Sequence, residues 1–411
     1  MKLSKKAASV LLAVAMTASV FGCGSEQNNT PANADISITI AARDGSFTDV
    51  LNSVKGEFEK EHGCTVKVFS MSADDIRTQA ISDSSNEVAA YDIIMIDDPL
   101  MPEYIEKGLL CNLTSLGYAD DEDFVEKSRL LGKDPYPLGA TYSLPFSGNV
   151  QLLFYNKNLV DTNADLTNWN SILKICQEAN DTGKKGYVIR GQSGNPIVSD
   201  FLPILWAFGG DIFDSNNNVI LDSQESRDAL EFYCKLLATG ANQDKDDLVN
   251  SITSGEGALA LGWPSWFISG NGTAAEIAQI PGKRIASSEA LATGEIGNWL
   301  LGVTANSKNK ELALELAIYL TSEEVQRKSL ESGGIPTRKS VFRDPEVLAK
   351  YPYFEAIYSG TNNSRVRPRT TKWSQIEEVF GKELVSCING EQTVNETIKK
   401  SQEEISLLAN K

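Results

Sequence analysis

Three tryptophans and an aspartate at a strand end are side chains of types that can hold a small polar molecule, although packing in a core is the commoner role of a tryptophan. Trp263 and Trp266 occur in Leu261-Gly262-Trp263-Pro264-Ser265-Trp266, just past an expected strand over 257–261, and Trp299 occurs in Gly297-Asn298-Trp299-Leu300-Leu301-Gly302. Glycine and proline around them predict turns, where a large ring is presented rather than buried. An indole face can cover the CH face of a sugar ring, and fixed carboxylates or amides can take its hydroxyls in pairs. Asp97 closes the run Asp92-Ile93-Ile94-Met95-Ile96-Asp97, and ligands of open α/β sheets gather outside the carboxyl ends of strands. Its neighbour Asp98 is as well suited to capping the helix that follows. Trp206 sits with Leu205 and Phe208 on an expected helix and reads as packing, while Trp169 and Trp373 read as helix-start residues.

Covalent chemistry finds little support. The single histidine, His62, excludes His-based zinc clusters, and any Ser-His-Asp or Cys-His arrangement would have to use it. It stands at an expected helix end between Glu61 and Gly63, where it favours the helix dipole. Beyond Cys23 there are five cysteines, 64, 111, 176, 234 and 387, with no C-x-x-C spacing. Cys176 and Cys234 fall in amphipathic helices and read as small buried apolar residues. Asp214, Asn216, Asn218, Asp222 and Glu225 imitate the oxygens of an EF-hand loop, but Val219 stands where the sharp turn needs glycine. An Asn-rich turn before a capped helix is expected instead, and Asp120-Asp121-Glu122-Asp123 reads as the acidic first turn of a helix. No metal and no cofactor is expected.

The elements that would position these residues follow from periodicity. Ile36, Ile38 and Ile40 alternate with polar residues, Phe47–His62 has helix spacing and stops at Gly63, and 65–69 reads as a second strand. A helix over about 73–82 then leads to the apolar run at 92–97, which suits a strand covered on both faces of a parallel sheet. A second α/β pattern begins at Val150–Tyr155, with helices near 168–180, 199–208 and 223–238 and a strand at 187–189; helices dominate from Lys308 onward.

The chain has 411 residues, 41% hydrophobic and 23% charged, so a large core in two or three domains is possible. Its formal charge is −17, and without Lys2, Lys5 and Lys6 the remainder stands at −20, which repels a phosphate backbone and excludes nucleic acid as a partner. Those lysines precede the uncharged stretch Ala7–Phe21 and then Gly22-Cys23, the layout of an export signal too short to span a membrane. Val20-Phe21-Gly22-Cys23 resembles a bacterial lipobox, which implies a signal peptide over 1–22, lipidation of Cys23, and a flexible anchored tether over 23–34.

Four segments carry a further resemblance: Leu205-Trp206-Ala207-Phe208-Gly209-Gly210-Asp211, Gly255-Glu256-Gly257-Ala258-Leu259-Ala260, residues 312–326, and Gly333-Gly334-Ile335-Pro336-Thr337-Arg338. They occur in the order found in extracellular solute-binding proteins. From about 35 to 405 the chain resembles the sugar-binding receptors of ABC importers, and within them the trehalose- and maltose-binding branch. The resemblance implies an α/β, two-lobed periplasmic-binding-protein-like fold with a hinge and an interdomain ligand cleft, the lobes being 35–146 with 300–334 and 147–299 with 335–411. It implies that Asp97, eleven residues before Gly108, binds hydroxyls, and that Trp263 and Trp299, with Trp266 beside them, meet the sugar. Asn149 stands where that branch tends to have aspartate. Asp44, with Arg43, ends the first strand where such receptors contact ligand, and Arg367, before Pro368, matches an arginine that reaches the cleft. A solvated basic turn is the alternative for Arg365, Arg367 and Arg369.

The implied function is a monomeric, lipid-anchored receptor on the extracellular face of the bacterial membrane, without enzymatic activity. It would capture a di- or oligosaccharide by hinge closure and deliver it to ABC permease subunits. The sequence also accommodates two alternatives. An exported glycoside hydrolase would need two carboxylates about 5 Å apart, and a receptor for a non-sugar solute would need other contacts.

Overall fold

Alternating isoleucines followed by a helix-spaced stripe begin a repeated strand–helix unit. The computed structural model describes residues 36–269, 272–273, 275–282 and 293–410. The first 35 residues, Cys23 included, lie outside the described residues, so the signal, lipidation and tether expectations fall there. Strand β1 (Ser37–Arg43) leads into α1 (Ser46–His62), β2 (Thr65–Met71), α2 (Ala73–Asp83) and β3 (Ile93–Asp97). β1 pairs in parallel with β2 and β3, so each connection is a helical crossover. α1 buries the stripe Val50, Leu51, Val54 and Phe58, and it stops at Gly63, whose left-handed φ of 61° lets its N–H close on the Glu59 carbonyl. The Ser72 hydroxyl opens α2 by accepting the Asp75 N–H.

Two more strands complete this sheet: β10 (Trp299–Val303) pairs antiparallel with β3 on one side and with β4 (Ser143–Ser147) on the other, so β10 alone runs against the rest and the order is β2-β1-β3-β10-β4. The second sheet takes β5 (Leu152–Tyr155), β6 (Lys185–Ile189), β7 (Ala241–Asn242), β8 (Gly257–Gly262) and β9 (Glu276–Ala278) in the order β9-β5-β8-β6-β7. Around it lie α3 (Trp169–Asp181), α4 (Asn195–Phe208), α5 (Gln224–Leu237) and α6 (Lys245–Ser254). α4 is buried continuously from Ile197 to Trp206, as a helix without a polar face must be. Farther along the chain, α7 (Lys310–Leu320) covers the first sheet, whereas α8 (Trp373–Ile388) and α9 (Val394–Ala409) belong to the layer behind the second.

Each sheet has its own core. Ile38, Ile40, Val66, Met95 and Leu316 gather on the first, and Leu153, Ile189, Phe201, Trp373 and Phe380 on the second. Each such side chain contributes about 1.5–3 kcal/mol by leaving water. The molecule is therefore two-lobed. Between the sheets the crossing segments hydrogen-bond side by side: Gly148 N–H donates to the Ile335 carbonyl at 3.0 Å, Gly297 N–H to Asn149 at 3.0 Å, and Gln151 N–H to Glu295 at 2.9 Å.

Several local expectations change in the structure. Trp299 opens strand β10 instead of standing in a turn, because its neighbours complete the ladder with β3. Asp120, Asp121 and Asp123 do not start a helix. Asp120 pairs with Arg129 at 2.5 Å and Lys133 at 2.9 Å, and Asp121 holds Arg338 at 2.7 Å, so specific cations outweigh the dipole preference. The Asn-rich turn does form, with Asp214 Oδ1 accepting the N–H groups of Asn216 and Asn218, both at 2.8 Å. Among the described residues there is no cluster able to hold a metal ion, and no helix is long and apolar enough to cross a membrane.

A Cβ on Gly148 would lie 2.1 Å from the Pro336 carbonyl oxygen. The Gly148→Ala variant is expected to lose about 1–3 kcal/mol of stability through this clash. Urea unfolding measures it, and an unchanged midpoint would contradict the close approach of the crossing segments.

Candidate functional site

Strand ends from both sheets converge on one cavity of about 360 Å³. Arg43 ends β1, Asp97 ends β3, Arg190 follows β6 and Trp263 follows β8, and all four line it. This is where ligands of open α/β sheets collect. Trp299 reaches the same edge because it starts an antiparallel strand whose register sets it opposite Asp97. A larger, more open hollow of about 710 Å³ borders α3, but no aromatic side chain lines it.

Aromatic rings form part of the cavity wall. Trp299 packs against Phe47 with ring centroids 5.6 Å apart, and the Arg43 guanidinium lies 6.0 Å from the Trp299 ring. Trp266 has the Arg190 guanidinium 4.8 Å above its ring, within cation–π range. Trp263 is only 8% exposed, and its ring lies against Gly297, where a Cβ would come within 2.2 Å of it. The other three tryptophans pack elsewhere: Trp206 and Trp373 are core residues, and Trp169 donates its indole N–H to the Pro281 carbonyl at 2.9 Å.

The polar groups are tied together beneath the rings. Arg367 is 3% exposed; its Nη2 donates to Asp97 Oδ1 at 2.6 Å and to Asp98 Oδ2 at 3.0 Å, and its Nε lies 3.9 Å from Glu295. It is a buried ion-pair centre, not a solvated basic turn. Asp98 is wholly buried and makes no cap, because the guanidinium beside it satisfies the charge that a helix N-terminus would otherwise have to. Burial pushes Asp98 up to about 6 against the pull of Arg367, and burial pushes Glu295 up to about 8. Burial would lower Arg367, but the charges of Asp97, Asp98 and Glu295 hold it above its usual range.

Asn149 lines the cavity with its amide already engaged: Nδ2 donates to Ser265 Oγ at 2.7 Å, and Oδ1 accepts the Ser265 N–H at 3.2 Å. It clamps a crossing segment to the turn that carries Trp263 and Trp266. Asp44 is exposed, pairs with Arg43 and does not line the cavity, whereas Arg43 does. Asp97, Asn149, Trp263, Trp266, Trp299 and Arg367 are thus brought together, and Asp44 is left outside. Arg190, Asn195 and Glu377, none of them among the residues expected from the sequence, also line the cavity. Glu377 accepts Asn195 Nδ2 at 2.8 Å, and burial pushes its carboxyl up to about 7. The strand-end rule that points to Asp97 also points to Arg190, but Glu377, within the α8 stripe, carries no local signal.

Residues 44–327 match the family described as bacterial extracellular solute-binding protein. The chain belongs to this family. A probable ABC transporter-binding protein of Deinococcus radiodurans is 25% identical over 64% of this chain and 67% of its own length. A probable amino-acid ABC transporter periplasmic-binding protein of Sinorhizobium fredii is also 25% identical, over 53% of this chain, which spans about half (52%) of that relative. The galactooligosaccharide-binding protein of Bacillus subtilis is 22% identical over 92% of this chain and 91% of its own length. Among solved structures, maltose-bound MalE3 of T. maritima superposes with a TM-score of 0.79 at 22% identity, covering 91% of this chain and all (100%) of that one. That likeness is one of fold.

A carboxyl whose pKa is higher in the fold than in the unfolded chain stabilises most below its unfolded value, and that contribution is lost as pH rises towards the folded value. For Glu295 the window runs from its ordinary 4.5 to about 8. The wild type is expected to lose thermal stability between about pH 5 and pH 8, and Glu295→Gln to lose less. Melting temperatures across that range test this, and parallel slopes for the two proteins would contradict it.

Proposed function

We propose that this chain is the sugar-binding component of an ABC importer. The observation that carries the reading is the convergence of Trp263, Trp266 and Trp299 with Asp97 on one cavity at the strand ends of both sheets. Indole faces suit the CH faces of a pyranose, and Asp97, held by Arg367, presents a fixed carboxylate to a hydroxyl pair. The galactooligosaccharide-binding and maltose-bound proteins named above support a di- or oligosaccharide as ligand. Cys23 is the lipid anchor, residues 23–34 the tether, and the extracellular membrane face the site of action. The lobes are 35–146 with 300–334 and 147–299 with 335–411. They close on the sugar as a monomer and pass it unaltered to permease subunits. If the empty open form outweighs the closed by about 100 to 1, the ligand must prefer the closed form by about 10⁴-fold to reverse the ratio.

A second reading rests on the charged pair. Arg190 and Glu377 line the same cavity, and such a pair suits the carboxylate and ammonium of an amino acid, the solute named for the Sinorhizobium fredii relative.

A thermal-shift screen with mono- and oligosaccharides beside amino acids and short peptides decides between the two. The sugar reading expects a shift with an intact oligosaccharide and more than tenfold weaker binding in Trp263→Ala and Trp299→Ala, both still folded. A shift with amino acids alone sinks it, and released monosaccharide at catalytic turnover would establish a hydrolase instead.

A further inference from the structure

Four arginines line the cavity, and three of them are already paired. Arg43 holds Asp44, Arg77 holds Glu103 at 2.8 Å, and Arg367 holds Asp97 at 2.6 Å and Asp98 at 3.0 Å. Lys245, which also lines the cavity, is exposed and pairs with Asp246 at 3.0 Å. Arg190, just past the end of β6, has no ion-pair partner among the described residues. Its guanidinium lies 4.8 Å from the Trp266 ring, and its Nη2 makes one long hydrogen bond, to Asn195 Oδ1 at 3.4 Å. The amide of Asn195 stands between it and Glu377, since Asn195 Nδ2 donates to Glu377 Oε1 at 2.8 Å.

A guanidinium stacked on an indole keeps its in-plane N–H groups free, and these match the two oxygens of a carboxylate. The group stays charged, so its removal from water has to be compensated. Burial lowers Arg190 from its usual range against the pull of Asp200, Glu295 and Glu377. Burial also pushes those three carboxyls up, to about 7, 8 and 7, so near neutral pH they offset the cation only in part. Helix α4 begins at Asn195, and its N-cap, Gly194, has no side chain to offer the free N–H groups, which adds positive potential at this end of the cavity.

We propose, in a reading that rests on the sugar-binding function above, that Arg190 binds a carboxylate of the ligand and that the saccharide held in this cavity contains a uronic acid. A uronic acid keeps the pyranose CH faces that suit Trp263 and Trp299, and it carries a carboxylate directly on the ring. Two N–H groups of Arg190 take the two carboxylate oxygens, while Trp266 covers one face of the guanidinium and Asn195 fixes its position. The chain as a whole is at −17 and repels an anion at a distance. Recognition is therefore short-range, made by the one cavity arginine that no carboxylate of the protein neutralises.

Calorimetric titration of the purified chain with galacturonic and glucuronic acids and their di- and trisaccharides tests this, each beside the neutral sugar that has CH2OH in place of the carboxylate. The acidic member of at least one pair is expected to bind about tenfold or more tighter than its neutral counterpart. Arg190→Gln should bring the two members to the same affinity while the neutral one is held as before, and methyl esterification of the acid should do the same in the wild type. Equal or tighter binding of every neutral member overturns the proposal and leaves the sugar reading standing. A preference for the acid that survives in Arg190→Gln overturns the role of Arg190. Binding of no saccharide at millimolar concentration, with or without binding of amino acids, removes the sugar reading and this proposal together. If the variant fails to fold, the ester decides: a methyl ester bound as tightly as the free acid overturns the proposal.

Discussion

One buried guanidinium organises the region between the sheets. Arg367 comes from the carboxyl-terminal part of the chain, yet its partners are Asp97 and Asp98 at the end of β3 and Glu295 on a crossing segment. Removing a charge from water is expensive unless partners and hydrogen bonds compensate, so none of these four groups can move alone without leaving another stranded. The carboxyl end of β3 is thereby fixed relative to the segments that connect the lobes. Asp97 gives one oxygen to Arg367, which sets the direction of its carboxylate towards the cavity before any ligand arrives.

The aromatic wall depends on backbone positions that carry almost no side chain. Gly297 leaves the space that the Trp263 ring fills, and Gly148 allows a crossing segment to pass the Pro336 carbonyl. Asn149 joins these two devices, since its carbonyl accepts from Gly297 and from Asn298 Nδ2 while its amide holds the Ser265 turn. The platform for a ligand and the connection between lobes are therefore one piece of structure. A rotation of one sheet against the other would be felt directly at Trp263, as the proposed closure on a ligand would require.

Much of this was legible in the sequence, for local reasons. α1 with its Gly63 stop, α2, the apolar β3 run and the strand-end position of Asp97 follow from periodicity and capping. Trp169 and Trp373 do start helices, and Trp206 does pack, at 3% exposure. What could not be read depends on partners far away in the chain. Asp98 resembles a cap until Arg367 is folded against it, the acidic run at 120–123 resembles a helix start until Arg129, Lys133 and Arg338 arrive, and Trp299 resembles a turn residue until β3 pairs with it. Glu377 lies within an ordinary amphipathic stripe, and only the placement of α8 turns it towards the cavity.

The distribution of charge limits how a ligand can be selected. The chain carries a net −17, yet the cavity is lined by Arg43, Arg77, Arg190, Lys245 and Arg367 as well as Asp74, Asp97 and Glu377. Several of these are neutralised in place: Arg77 is held by both oxygens of Glu103 at 2.8 Å, and Arg367 by Asp97 and Asp98. Such a lining supplies fixed donors and acceptors of both kinds without a strong field of one sign. A neutral polar solute gains little from long-range steering, so discrimination must come from contacts made at hydrogen-bonding distance. There a missing hydroxyl leaves a desolvated carboxylate or guanidinium without its partner, a penalty of about 1–3 kcal/mol or more. Under the proposed function, selectivity would rest on how rigidly Asp97, Arg190 and Glu377 are held, and Arg367 and Asn195 are the residues that hold Asp97 and Glu377.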